Sequence, residues 1–268
     1  MSVSFLAENK AMQTIRARVA FHSRQHGFDK RMLDLTSPGS SITPTLLAEL
    51  YAYWGDPLSP ANEQFLRSCV AEVTKAEGPV LLSGASLMTL ILGAICTQNP
   101  EKSKQLWCLE NEPHWANLMR SWLTEYRVSG AHVIQSPARL YGDHVWYSVA
   151  TDRLPKSFPL VICEGNGATP RGVVGIVERL SERLHPAFTI LARNVKEASV
   201  LKRLKLWASE HEAKIALIDK QAGFVKLTRQ INGSVPGTDA LPEAQVTAHQ
   251  TPSGKPAPKR PKKSRPTD

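Results

Sequence analysis

The sequence predicts an α/β protein: a doubly wound, mostly parallel sheet of seven strands with an antiparallel last strand, a helical N-terminal extension and a disordered C-terminal tail. Three observations carry this. From Pro79 onward, short apolar runs alternate with amphipathic stretches of helical length. The early runs are continuously apolar rather than alternating, as strands covered on both faces must be. The last two runs are joined by Lys220-Gln221-Ala222 alone, too short for a crossover, so they pair antiparallel.

Taken in order, residues 1 to about 40 mix charged and apolar groups, with Leu6, Met12, Ile15, Val19 and Phe21 at loosely helical spacing. Ser37-Pro38-Gly39-Ser40 breaks that pattern. Thr43-Pro44 then opens a helix, TLLAELYAYWG, with Pro44 suited to the first turn. Ser59-Pro60 opens another, ANEQFLRSCVAEVTKAEG, which Gly78 is expected to close. These segments make up an extension over residues 1–77.

The sheet domain spans 78–232. PVLLS is its first strand and LMTLILGAI the apolar helix after it. KQLWCLE, AHVIQ, PLVICEG and AFTILAR read as further strands. PHWANLMRSWLTEY, RGVVGIVERLSERL (171–184) and KEASVLKRLKLWASEH read as helices, and AKIALID and GFVKLTR close the set. Strand–helix units of this length wind by right-handed crossovers. From Gly233 to Asp268 there are seven prolines and few apolar groups. Such a segment cannot bury enough surface to offset the entropy of ordering, so it is expected to be disordered.

Composition narrows the function classes. Apolar residues are 42% of the 268, which suits a globular body. Cys69, Cys96, Cys108 and Cys163 form no CxxC pair and sit in apolar runs, the pattern of buried, reduced thiols. No apolar run approaches the ~18–20 residues of a membrane span, and the first 18 residues lack a signal-peptide core. A soluble, cytoplasmic protein is expected. The eight histidines show no metal spacing, so no metal site is expected. Of the net charge of +9, residues 251–268 hold six Lys or Arg against one acid. The tail KPAPKRPKKSRP reads equally as a weak, nonspecific nucleic-acid contact or as a solubilising segment.

In open α/β sheets, ligands bind at the carboxyl ends of the strands, near the switch point. Ser83, Gly84, Ala85 and Ser86 follow the first strand, where small residues let a ligand approach the backbone and a helix N-terminus offers N–H groups. Gly84-Ala85-Ser86 is no nucleophile elbow, because Met88 stands where the second glycine belongs. Glu110 and Asn111 follow the second strand. Glu110 reads either as a carboxylate for a ribose diol or as an acid capping the helix near Pro113. Glu164-Gly165-Asn166-Gly167 follows the fourth strand. Trp146 and Tyr147 read as a substrate mouth or as core, and Arg171 as an anion contact or a solvated helix-end charge.

Four segments in this order resemble the motifs of class I S-adenosylmethionine-dependent methyltransferases of the Rossmann-like group: VLLSGASLMTL, LWCLENEPHW, IQSPARLYGDHVWY and FPLVICEGNG. The resemblance covers about residues 41–230. It implies S-adenosylmethionine as cofactor, with Gly84 and Ser86 against its methionine and ribose parts. Glu110 would meet the ribose hydroxyls, Gln135, Ser136 and Pro137 would edge the adenine, and Glu164 would lie near the methyl donor and the acceptor. The chain departs from the pattern at Leu82, where the family has an acid, at Ser86, where it has a glycine, and at Ala192-Arg193-Asn194, where close relatives have acids. Two functions follow as expectations. One is a methyltransferase of unknown acceptor with Glu164 as its catalytic base. The other is a noncatalytic binding protein on the same fold, tethered to nucleic acid by its tail.

Overall fold

The computed structural model describes residues 25–55, 58–99, 103–164 and 171–230. The expectations for the first 24 residues, for Gly165-Asn166-Gly167 and for the tail concern residues outside these.

Three helices precede the sheet: α1 (25–36), α2 (Pro44–Trp54) and α3 (Pro60–Lys75). Local chemistry sets their ends. Thr43 caps α2 by accepting from the Leu46 N–H, and Gly55, at φ 90°, donates back to the Ala52 and Tyr51 carbonyls. Ser59 caps α3. This helix ends at Lys75 rather than at Gly78, because the buried Lys104 ammonium takes the Val73 and Thr74 carbonyls at 2.8 Å each. Gly78, at φ 111°, instead turns the chain into the first strand.

The strands are β1 (Val80–Ser83), β2 (Leu106–Glu110), β3 (Ala131–Gln135), β4 (Ala138–Tyr141), β5 (His144–Tyr147), β6 (Phe158–Cys163), β7 (Leu184–Ala192), β8 (Lys214–Asp219) and β9 (Phe224–Arg229). Seven form one sheet in the order β3-β2-β1-β6-β7-β9-β8. β1, β2, β3, β6 and β7 are parallel, and β9 runs antiparallel between β7 and β8. This is the doubly wound sheet that the sequence predicts. Its topological switch point lies at β1, from which the chain winds out through β2 and β3 before returning to β6. The connecting helices are α4 (Leu87–Thr97), α5 (Pro113–Glu125), α6 (Gly172–Arg179) and α7 (Ala198–Glu210).

Two readings needed correction. The expected single helix over 171–184 is α6 followed by a 3₁₀ turn, Ser181–Arg183, with Leu184 already in β7. Between β3 and β6 the chain forms a β4–β5 hairpin around Gly142-Asp143, with Gly142 at φ 61°. That two-residue turn is a hairpin signal the segment carried openly.

Both faces of the sheet are covered. On one, Phe28, Met32, Leu50, Phe65 and Cys69 from α1–α3 share a core with Leu82, Leu90 and Cys108. On the other, Trp146, Phe158, Val174 and Leu204 pack with Leu81 and Val161. Gly175 makes this second face possible, since a Cβ there would stand 2.6 Å from the Trp146 ring. Among the described residues no helix is long and apolar enough to cross a membrane, and no three His, Cys, Asp or Glu cluster as a metal site.

Candidate functional site

The turn after β1 is held from two directions. Gly84 adopts φ 94°, a conformation that favours glycine, and its N–H donates to the Leu109 carbonyl at 2.9 Å. Ser86 begins α4, accepting from the Met88 N–H and forming a capping box with Thr89. The Trp115 indole N–H from α5 donates to the Ala85 carbonyl at 2.8 Å.

Glu110 ends β2 directly beside this turn. One of its carboxylate oxygens accepts the Ala85 N–H at 3.0 Å and the other the Glu112 N–H at 2.8 Å. The residue is 3% exposed. The helix cap that the sequence offered as an alternative role belongs to Glu112, whose carboxylate accepts the His114 and Trp115 N–H groups. Glu110 therefore ties the turns after β1 and β2 to each other.

The turn after β3 joins the same edge. The Ser136 N–H donates to the Glu110 carbonyl at 2.7 Å, and the Gln135 amide lies 3.5 Å from the Asn111 carbonyl. The exposed Pro137 accepts the Ser148 N–H at 2.8 Å, closing the base of the hairpin. Ser83, Gly84, Ala85, Ser86, Glu110, Asn111, Gln135, Ser136 and Pro137 thus meet at the carboxyl ends of three neighbouring strands.

Trp146 and Tyr147 are buried, at 1% and 2% exposure, so both pack in the core. The Ser136 hydroxyl is buried without a hydrogen-bond partner among the described residues, whereas the buried Tyr147 and Ser83 hydroxyls lie next to each other. Burial pushes the Tyr147 phenol well above the usual tyrosine range, and Glu110 and Cys108 push it further, while contact with Ser83 lowers it. It is a neutral donor and acceptor.

Glu164 lies just past β6, across the switch point and 6% exposed. It borders a cavity of about 80 Å³, together with Tyr51 and Trp54 of α2, Asn62 and Phe65 of α3, and Arg193 just past β7. The Arg193 guanidinium donates from Nε to the Glu164 carbonyl at 3.1 Å and from Nη1 to Asn62 Oδ1 at 2.6 Å. It also lies over the Phe65 ring at 5.5 Å. Beneath, burial pushes the Cys69 thiol far up, with Glu164 adding to the effect. Sequence reading noted Arg193 only as a departure from a family pattern. No local signal could show that Asn62, 131 residues earlier, would orient it.

Arg171 is spoken for elsewhere. At φ 54° it precedes α6 and pairs with Asp143 at 2.8 Å and Glu197 at 2.6 Å, and Arg203 reaches the same Asp143 at 2.8 Å. It clamps the hairpin to α7.

No family model matches the chain, and no curated protein matches it. Solved structures do resemble it. An O-methyltransferase from Bacillus cereus, in complex with SAH, is 11% identical over 79% of this chain and 91% of its own, at TM-score 0.47. A precorrin-6y C5,15-methyltransferase from Geobacter metallireducens is 12% identical over 65% and 91%, at TM-score 0.45. Aeropyrum pernix fibrillarin, with natively bound S-adenosyl-L-methionine, is 15% identical over 58% and 67%, at TM-score 0.41. At such identities and scores, function has to be read from this chain's own residues.

Proposed function

We propose that this chain is an S-adenosylmethionine-dependent methyltransferase whose acceptor is unassigned. The observation that carries the reading is the convergence at the carboxyl ends of β1, β2 and β3. A left-handed glycine turn, a strand-terminal acid and a buried Ser136 hydroxyl without a partner among the described residues occupy the place where an open α/β sheet binds its ligand, with the Ser83 and Tyr147 hydroxyls beside them. A buried hydroxyl without a partner costs about 1–3 kcal/mol. A nucleoside, with a diol and a polar base edge, is the kind of ligand that would satisfy such groups.

The residues present fit that cofactor. Ser83, Gly84, Ala85 and Ser86 would lie along it. Glu110 and Asn111 would meet its ribose, through carboxylate lone pairs left over from Ala85 and Glu112, and Gln135, Ser136 and Pro137 would edge its base. The bound cofactor would supply an electrophilic methyl group. The protein's contribution is then mainly to position donor and acceptor, a source of several kcal/mol of rate enhancement. Glu164 would accept a proton from an acceptor that must lose one.

Two observations favour the noncatalytic alternative. Leu82, where the related motif has an acid, is wholly buried in the core, and both Glu110 oxygens already hold backbone N–H groups. Two measurements separate the readings. Calorimetry with S-adenosylmethionine and S-adenosylhomocysteine should show binding that Ser136→Val weakens. No heat with either ligand at millimolar concentration overturns the methyltransferase reading and selects the noncatalytic one. Binding without conversion of S-adenosylmethionine to S-adenosylhomocysteine, across amine, hydroxyl, thiol and carbon acceptors, selects the noncatalytic one.

A further inference from the structure

A groove runs between the last turn of α5 and the first residues of β3, at the edge of the sheet. It stands apart from the turns on which the proposed function rests, at the other end of both elements. We infer that this groove binds the phosphate backbone of single-stranded nucleic acid, with Arg120 and Arg127 as its phosphate contacts.

Charge and size define the groove. It encloses about 650 Å³ and is bordered by Arg120, Thr124, Arg127, Ser129, His132 and Val133, with no Asp or Glu among its lining residues. Such a volume suits a ligand the size of a nucleotide. The charge on its guanidiniums is not offset. Arg120 donates from Nε and Nη2 to the Val133 carbonyl at 3.0 and 2.9 Å, and from Nη1 to Asn117 Oδ1 at 2.7 Å. All these acceptors are neutral. The exposed Arg127 side chain makes no hydrogen bond or ion pair among the described residues.

Arg127 is also an unfavourable choice for its position. The Arg127 N–H donates to the Thr124 carbonyl at 3.2 Å and the Val128 N–H to the Leu123 carbonyl at 2.8 Å. This is a Schellman end to α5, whose central residue must be left-handed and is commonly glycine. Arg127 sits there at φ 55°, where an L side chain is strained. An unpaired cation is thus held at the groove in spite of the backbone, as happens at ligand sites.

Two features favour nucleic acid over an acidic polypeptide. A peptide would bind this edge by adding a strand to β3, but Arg120 already occupies the Val133 carbonyl. The exposed His132 ring packs against Trp107, with centroids 4.8 Å apart. Cations beside an aromatic platform are the means by which single strands are held without sequence preference.

Fluorescence anisotropy of the full chain tests this, with a labelled oligothymidylate of about 12 nucleotides, within the site sizes of single-strand binders. The wild type should bind with an affinity that falls as salt rises. Arg127→Gly should weaken binding about three- to fivefold, the scale of one exposed charge pair. It should also reduce the salt slope by about 0.7, one phosphate on a single strand. Its thermal midpoint should stay the same or rise, because glycine fits the left-handed position. His132→Ala should weaken binding with the slope retained.

No binding of the oligonucleotide at low salt overturns the site. So does binding that Arg127→Gly leaves unchanged in affinity and slope, which assigns the contact to the basic tail over 251–268. A loss in Arg127→Gly that comes with a lower thermal midpoint overturns it as well, as a merely structural role for that residue. Tighter binding of an oligoglutamate than of the oligonucleotide, lost in Arg127→Gly, overturns the nucleic-acid assignment in favour of an acidic polypeptide.

Discussion

The backbone N–H of Ala85 donates to the carboxylate of Glu110 at 3.0 Å, across 25 residues of sequence. With the Glu112 N–H on the other oxygen, this makes the acid a fastener of the site's backbone. Glu110→Ala strands two N–H groups, one of them in a buried contact, and should lower stability by about 1–3 kcal/mol, the cost of one buried donor left unmade. Glu110→Gln keeps one acceptor oxygen and should cost less. Chemical denaturation of both variants decides; an alanine variant as stable as wild type would show that the turn does not depend on the acid.

Lys104 tests the end of α3. Its ammonium is 2% exposed and holds two helix-terminal carbonyls. Lys104→Met keeps the aliphatic stem but removes the charge, so the expected loss is about 1–3 kcal/mol from the lost charged hydrogen bonds. A neutral outcome in urea denaturation would mean that water takes over those carbonyls.

Gly175 tests packing between α6 and the hairpin. A Cβ 2.6 Å from the Trp146 ring forces one of two buried elements to move. Gly175→Ala should therefore cost about 1–3 kcal/mol as overpacking, and double substitution with Trp146→Phe should recover part of it. Additive losses in the double variant would exclude direct contact as the cause.

Alkaline pH tests the buried phenols. Burial raises both Tyr126 and Tyr147, aided at Tyr126 by its hydrogen bond to Asp29 and at Tyr147 by Glu110. Below the usual tyrosine value of 10 both are neutral in the folded and unfolded chains, so their contribution is fully present. Above it the unfolded chain ionises first, and stability falls as pH rises. Absorbance titration should show these two tyrosines ionising only together with unfolding. Ionisation at ordinary pH in the folded state would contradict their burial.

Some of this architecture was open to sequence reading because its causes are local. Thr43 and Ser59 sit one residue before a proline and cap α2 and α3, as their chemistry requires. VLLS, LWCLE and FPLVIC are apolar but for the terminal Ser83 and Glu110, because the sheet is covered on both faces. The short link after Asp219 required the antiparallel pair β8–β9. The Gly142-Asp143 hairpin was legible as well, but its strands alternate weakly, with Leu140 70% exposed, so periodicity alone did not reveal it.

The sequence by itself determined the order of strands and helices, the helix starts, and which turns would meet at the carboxyl edge of the sheet. These follow from periodicity, capping and the geometry of crossovers, which act within a few residues or along a single winding rule. Only the tertiary structure decided what individual side chains do there. Glu110 is occupied by Ala85, Tyr147 is buried beside Glu110 and Cys108, and Arg193 is aimed by Asn62. Each depends on groups brought together from distant parts of the chain, and a hydrogen bond forms only where donor and acceptor come within about 3 Å, a condition that no spacing in the sequence encodes.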